Sequence, residues 1–225
     1  MKLKSVIAVA ALLITTHAGA NGINVELLVN GGFETGTFAG WTATSNGIAE
    51  LTPWTVGGAG GGFFSNTSPL SGNFDAYNGF DGDAGLVYEL YQDVVIPPNH
   101  TATLYTNHRI VYDSLEIFST LDRIFEISIR DVDNDVLTTL FSQSITMNGA
   151  PLTDLGWNAQ SFDVSAHAGS TVRVHFREFI PENFTGPANI ELDDISLVAV
   201  LVPEPASIVA LFGGVLVLSA FRRNR

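Results

Sequence analysis

Cysteine is absent from all 225 residues, which excludes a disulfide framework, a thiolate metal site and a cysteine nucleophile. Lysine is absent between Asn21 and Val202, where five arginines face 22 aspartates and glutamates, a formal balance of −17. So acidic a surface repels phosphate backbones, and no nucleic-acid partner is expected. There is no G-x-S-x-G nucleophile turn and no H-E-x-x-H zinc site. The five histidines are scattered: His17 near the N-terminus, His100 after Pro97-Pro98-Asn99, His167 in a loop, and His108 and His175 within apolar runs. Each reads as a packing or surface residue, and paired carboxylates carry no information in so acidic a chain. The expectation is a protein that is not an enzyme. Helix formers such as Lys, Met and Gln are scarce, whereas Gly (22) and Phe (15) are plentiful, which suits short strands and Gly-rich turns.

Both ends read as targeting segments. Lys2 and Lys4, an apolar run from Val6 to Ile14, and Ala18-Gly19-Ala20 form a secretory leader over residues 1–20, with signal peptidase cutting after Ala20; the alternative is an uncleaved anchor. At the other end stand Val202-Pro203-Glu204-Pro205-Ala206-Ser207, an uncharged run from Ile208 to Phe221, and Arg222-Arg223-Asn224-Arg225. Pro203 and Pro205 cannot continue a helix, so this motif is extended. Residues 208–221 supply about 21 Å of helix at 1.5 Å per residue, short of the roughly 30 Å core unless Ala206 and Ser207 join it and the arginines snorkel. Arginines at the end hold it cytoplasmic and leave the domain outside. Residues 202–225 resemble the PEP-CTERM sorting signal, whose bearers are processed by an exosortase. The resemblance implies Pro203, Glu204 and Pro205 as the processing site, with Arg222, Arg223 and Arg225 as the membrane stop. A tail anchor that is never cut is the alternative.

Residues 21–201 alternate β-branched and aromatic runs with Gly, Asn, Asp and Pro. The pattern predicts strands at Asn24–Val29, Ala49–Thr52, Leu86–Val95, Thr101–Val111, Ile124–Arg130, Leu137–Ser144, Trp157–Asp163, Thr171–Glu178 and Asn189–Val200. Many strands without an amphipathic helix or a repeat make an all-β sandwich. Asp131-Val132-Asp133-Asn134-Asp135 has the alternation of a calcium loop but lacks its Gly and distal Glu, and is expected to be a hairpin turn. Alternation places Asp193, Ile195 and Leu197 on one face of the last strand and Leu192, Asp194 and Ser196 on the other, so either choice of core includes a carboxylate. That carboxylate must be paired, protonated or metal-bound.

Leu27-Leu28-Val29-Asn30-Gly31-Gly32-Phe33-Glu34 with Gly40-Trp41, and the later Trp157–Ser165, Ala168–Phe176 and Ile190–Leu197, are similar to the carbohydrate-binding-module-like jelly rolls of the galactose-binding superfamily. That resemblance implies an antiparallel jelly-roll β-sandwich with adjacent chain ends. It also implies a structural Ca2+ held by Glu34 and Asp193, the alternative being a solvated acidic rim. The long Gly-rich stretch from Gly57 to Gly85 is the candidate binding loop, where Trp54, Phe63, Phe64 and Tyr77 either face a sugar or cap the sandwich. Trp41 and Trp157 are assigned to the core. The expected protein is exported, transiently anchored in the inner membrane by its C-terminal transmembrane helix, displayed on or released from the cell envelope, and associated with extracellular polysaccharide or biofilm matrix. An envelope-tethered glycosidase or other hydrolase, and a structural matrix protein with no ligand, are the rivals.

Overall fold

The computed structural model describes residues 24–202 apart from 49, 64, 114–120, 146–150 and 184–187. The expectations for Ala18, Ala20, Pro203, Glu204, Pro205, Arg222, Arg223, Arg225 and the transmembrane helix concern residues outside these. Among the described residues no helix is long and apolar enough to cross a membrane.

Among the described residues eleven strands form two antiparallel sheets: β1 (Asn24–Glu26), β2 (Thr42–Ser45), β3 (Thr55–Gly57), β4 (Asp75–Asn78), β5 (Leu86–Val95), β6 (His100–Tyr112), β7 (Arg123–Arg130), β8 (Val136–Ile145), β9 (Thr153–Asp163), β10 (Thr171–Ile180) and β11 (Ala188–Leu201). The first sheet runs β3-β4-β11-β6-β9 and the second β2-β5-β10-β7-β8. Successive strands such as β5 and β6, or β10 and β11, fall in opposite sheets, consistent with a jelly roll. Because β6 borders β11 throughout, β1 shares the other border with β4, and Asn24 lies opposite Val200.

Period-two alternation builds the core. Leu86, Tyr88, Leu90 and Val94 of β5 and Val172, Val174 and Phe176 of β10 point inward to meet Leu104 and Ile110 of β6 and Ile190, Leu192 and Leu197 of β11. Fully burying a side chain such as Phe176 contributes about 1.5–3 kcal/mol. Trp41 is in this core as expected, its ring 5.7 Å from Phe33 and 6.0 Å from Phe176.

Three expectations are corrected. Leu51 and Thr52 are not strand and Glu50 makes only an isolated bridge to Gly82, while β2, β3 and β4 are strands too short to show a period. Trp157 is not core: opposite Arg109, it lies half-buried on the outer face of the first sheet and donates its indole N–H to the Ser68 carbonyl at 3.1 Å. The simple alternation of β11 fails as well. Asp193 pairs with Asn107 and Ser196 with Tyr105, so Asp194 and Ile195 share the place opposite Thr106. This bulge, with Asp194 at φ +48°, puts Leu192, Ile195 and Leu197 all inside and keeps Glu191 and Asp193 on the outer face. The turn at Asp131–Asp135 does join β7 to β8, closed by the Asp131 amide on the Asp135 carbonyl at 3.0 Å.

Candidate functional site

Polar and aromatic side chains collect at several places around this scaffold. The first is the outer face of the first sheet, where Asp75, Glu191 and Asp193 are fully buried although no second sheet covers them. Their cover is the Gly-rich loop 58–74, which runs back across the sheet and is held there by its own amides. The Ser68 N–H donates to Glu191 at 3.1 Å and the Ser71 N–H to Asp193 at 3.0 Å. Arg109 donates Nη1 to both Glu191 oxygens at 2.8 and 3.0 Å, Nη2 to Asp154 at 2.7 Å, and Nη1 again to the Asn66 carbonyl at 3.2 Å. The loop is therefore clamped by charge-assisted hydrogen bonds, the strongest kind available to a neutral amide.

Glu34 and Asp193 come to this clamp from opposite ends of the chain. Glu34 accepts the Asn73 and Phe74 amides, each at 2.9 Å, and these bonds hold its carboxyl below the usual range. Burial raises Asp193 to about 6 against the amides of Ser71 and Asp194. The opening Asn30-Gly31-Gly32 segment seats on the β11 bulge through the Ile195 amide and the Gly31 carbonyl at 3.0 Å. Any Cβ at residue 31 would lie 1.7 Å from the Ile195 carbonyl oxygen, and one at Gly72 (φ +62°) would lie 2.3 Å from a Glu34 oxygen, so both positions require glycine. A Cβ on Gly32 would sit 3.6 Å from an Asp193 oxygen and 3.3 Å from one of Asp194. The acids thus converge, yet among the described residues no three acid or histidine side chains are grouped to hold a metal ion.

Asp75 stands apart. Neither of its oxygens has a donor, because its neighbour is the Glu191 carboxylate, and two carboxylates bond only by sharing a proton. Burial, then the negative charges of Glu191 and Asp193, push Asp75 up to about 8.

The second place is a cleft of about 240 Å3 at the lateral side where β2 and β3 end the two sheets, lined by Phe38, Ala43, Thr44, Glu50, Pro53, Trp54 and Tyr88. Tyr88 donates its hydroxyl to the Asp81 carbonyl at 2.9 Å and accepts the Thr52 amide at 3.2 Å, which fixes the floor. Trp54 is buried beside it with no partner for its indole N–H, and Glu50, at the rim, accepts the Ser45 hydroxyl. The four expected binding aromatics are split between the two places. Phe63, 41% exposed, meets Tyr77 edge-on at 5.9 Å over the clamped loop, Trp54 is in the cleft, and Phe64 lies outside the described residues.

Sequence reasoning missed a third group, on the outer face of the second sheet. His175 bonds Glu89 at 3.1 Å and stacks on Tyr91, and the hydrogen bond from His175 depresses Glu89 to about 2. Arg173 lies 3.8 Å over the Tyr91 ring and forks onto Asp93. Only the period-two spacing of Glu89, Tyr91 and Asp93 hinted at a shared face.

The protonated Asp75 sets a pH dependence. Its folded pKa of about 8 exceeds the ordinary 3.8, so the folded chain retains a proton that the unfolded chain loses. Stability is then fullest below about pH 4 for this group and falls until about pH 8, by at most about 1.4 kcal/mol per pH unit. Asp193 confuses the lower half of that window, so the upper half is diagnostic. Urea midpoints should drop between about pH 6 and 8 in the wild type and stay flatter in Asp75→Asn, whose amide can donate to Glu191 without a titrating proton. Parallel profiles for the two proteins would show that Asp75 is not protonated in the fold.

No family model matches the chain, and no curated protein matches it. Among solved structures it is similar to TmCBM61 in complex with beta-1,4-galactotriose, at 17% identity over 77% of this chain and 97% of that one, with a TM-score of 0.46. It is also similar to the K3 cleaved adhesin domain of Lys-gingipain from Porphyromonas gingivalis W83, at 16% identity, 78% and 98% coverage and a TM-score of 0.49. The CBM22-1 xylan-binding domain of Paenibacillus barcinonensis Xyn10C follows at 16% identity, 79% and 96% coverage and a TM-score of 0.40.

Proposed function

We propose that this chain is an exported, non-catalytic saccharide-binding sandwich, displayed on or released from the cell envelope and associated with extracellular polysaccharide or biofilm matrix. The observation that carries the reading is the cleft between β2 and β3. Its floor is aromatic, with Trp54 and Tyr88, and its rim offers the Glu50 carboxylate. Such a combination suits a sugar ring, whose C–H face packs on an aromatic wall while its hydroxyls bond polar groups at the edge. At 240 Å3 the cleft is smaller than the about 300–1,000 Å3 of a pocket for a drug-sized molecule, so it suits one ring of a chain rather than a whole oligosaccharide.

Calorimetric titration of the protein with a panel of neutral and acidic polysaccharides should give binding. Glu50→Gln and Glu50→Ala, at the exposed rim, should each weaken it, the former about tenfold. Silence across the panel, or variants that bind as the wild type does, would remove the cleft from the account. Release of reducing ends that is lost in Glu50→Gln would favour the tethered glycosidase instead.

Two further parts of the proposal rest on the termini and on Glu34 with Asp193. Signal peptidase and an exosortase process the chain after Ala20 and at Pro203-Glu204-Pro205, the uncharged run holding it in the inner membrane meanwhile. Mass spectrometry of the protein from its own cells should find Asn21 as its first residue and Arg222–Arg225 gone; an intact chain mass contradicts this.

Calcium, supplied with oxygen ligands by Glu34 and Asp193, would join the opening segment to the closing strand. A hundredfold excess over Kd stabilises the fold by about 2.7 kcal/mol, so melting temperature should rise on adding calcium and fall on chelation. Superimposable curves mean that the amides of residues 71–74 hold these carboxylates unaided.

A further inference from the structure

The two lateral sides of the sandwich are unlike. On one side the border strands are β1, β2 and β3, of 3, 4 and 3 residues, with Glu26 and Glu50 among them. On the other side lie β8 and β9, of 10 and 11 residues, and among the described residues no strand pairs with the free edge of either. A long free edge presents unpaired N–H and C=O groups, which only another strand can satisfy as a set. Proteins usually blunt such edges with lysine, proline, inward charges or bulges. Strand β8 is blunted twice, because its register skips Leu140 and Leu137. Strand β9 breaks register once, between Asp154 and Trp157 beside Gly156, but from Trp157 to Asp163 it holds seven residues in unbroken register with β6, without lysine, proline, glycine or bulge, and the only charge of that stretch is Asp163 at its end.

We propose that two copies of this chain pair edge to edge through β9, antiparallel and centred on Gln160, so that their first sheets become one continuous sheet. Charge selects a second copy as the occupant and this side as its place. The domain carries −17 between Asn21 and Val202 and repels its own kind, except along a side where β8 has no charged residue and β9 has one in its regular stretch. A strand pairs with its copy across a two-fold axis, so the surface is self-complementary. Centring on Gln160 sets the amide of Gln160 opposite its own copy on the inner face, and the small Ala159 and Ser161 opposite each other on the outer face. It places Asn158 against Phe162 and Trp157 against Asp163, so no charge faces its own copy. Asp163 already accepts the Ser165 amide at 2.9 Å and the Ser165 hydroxyl at 2.5 Å, so it makes no demand on the partner. The contact is a backbone ladder with far less than the about 1,600 Å2 of a stable interface, so the dimer is weak, and added salt strengthens it by screening the two acidic bodies.

Sedimentation velocity of the full chain, in a density-matched detergent, tests this. The wild type should pass from monomer to dimer at micromolar concentrations, and more readily as salt is raised. Gln160→Glu and Gln160→Lys, at a half-buried edge position, should each fold with an unchanged melt. Each alone should associate at least about fivefold more weakly, since like charges then stand directly opposite, and an equimolar mixture of the two should regain the dimer. A wild type that remains monomeric, as it would if the edge serves a strand of another protein, overturns the proposal. So does a dimer unaffected by either variant, which lies on another surface, and so does a mixture that fails to recover, which excludes the register centred on Gln160.

Discussion

Glu191 and Asp193 are carboxylates on the outer face of a central strand, and neither reaches water. A buried carboxylate without partners costs several kcal/mol, so the surroundings must supply donors. Arg109 supplies a cation to Glu191, the loop that crosses the sheet supplies the Ser68 amide to Glu191 and the Ser71 amide to Asp193, and β11 itself adds the Asn189 side-chain amide on Glu191 and the Asp194 N–H on Asp193. Most other local features follow from that demand. The loop is glycine-rich because it must turn tightly over the sheet while aiming amides downward, and Trp157 is drawn out of the core to hold the Ser68 carbonyl from above. Asp75, lying under the same loop with no donor left for it, keeps its proton instead.

The clamp also explains how the chain begins and ends together. The β11 bulge at Asp194 turns three apolar residues inward and leaves a carbonyl and an amide at Ile195 for the opening segment, which approaches so closely that residue 31 can have no side chain. Glu34 then reaches the same loop that Asp193 holds, from the other end of the sequence. The opening and closing motifs are far apart in the chain but form one structural unit through residues 70–74. The opposite corner, between β2 and β3, is free of this clamp, and there the border strands are too short to close the sandwich. The aromatic cleft is what remains open.

Much of this was legible in the sequence. Strand β5 was read to the residue, and β6, β7, β8, β10 and β11 within two residues at either end, because runs of eight or more residues with period two leave little ambiguity. Strands β2, β3 and β4 were not, since three or four residues cannot display a period and Thr42-Ala43-Thr44-Ser45 carries no apolar stripe. The dilemma of the two acids on β11 was visible as a dilemma. Its resolution was not, because a bulge is fixed by the partner strand and by the segment that packs on it, and neither is local. At the candidate sites, Glu34 and Asp193 were named only through the family resemblance, and residues 57–85 from their length and glycine content. That Trp54 and Tyr77 face different places could not, for both lie in short segments whose facing depends on strand order.

The central claim is that the buried carboxylates of Glu191 and Asp193, with the exposed one of Glu34, hold residues 68–74 as firmly as strand pairing holds the sheet beneath. Hydrogen–deuterium exchange reads this directly at the Ser68, Ser71, Asn73 and Phe74 amides. The account predicts protection of these four comparable to that of Leu192 in β11, and loss of it at Ser71 in Asp193→Ala while Leu192 stays protected. Exchange of all four at the rate of an exposed loop, in the wild type, would contradict it.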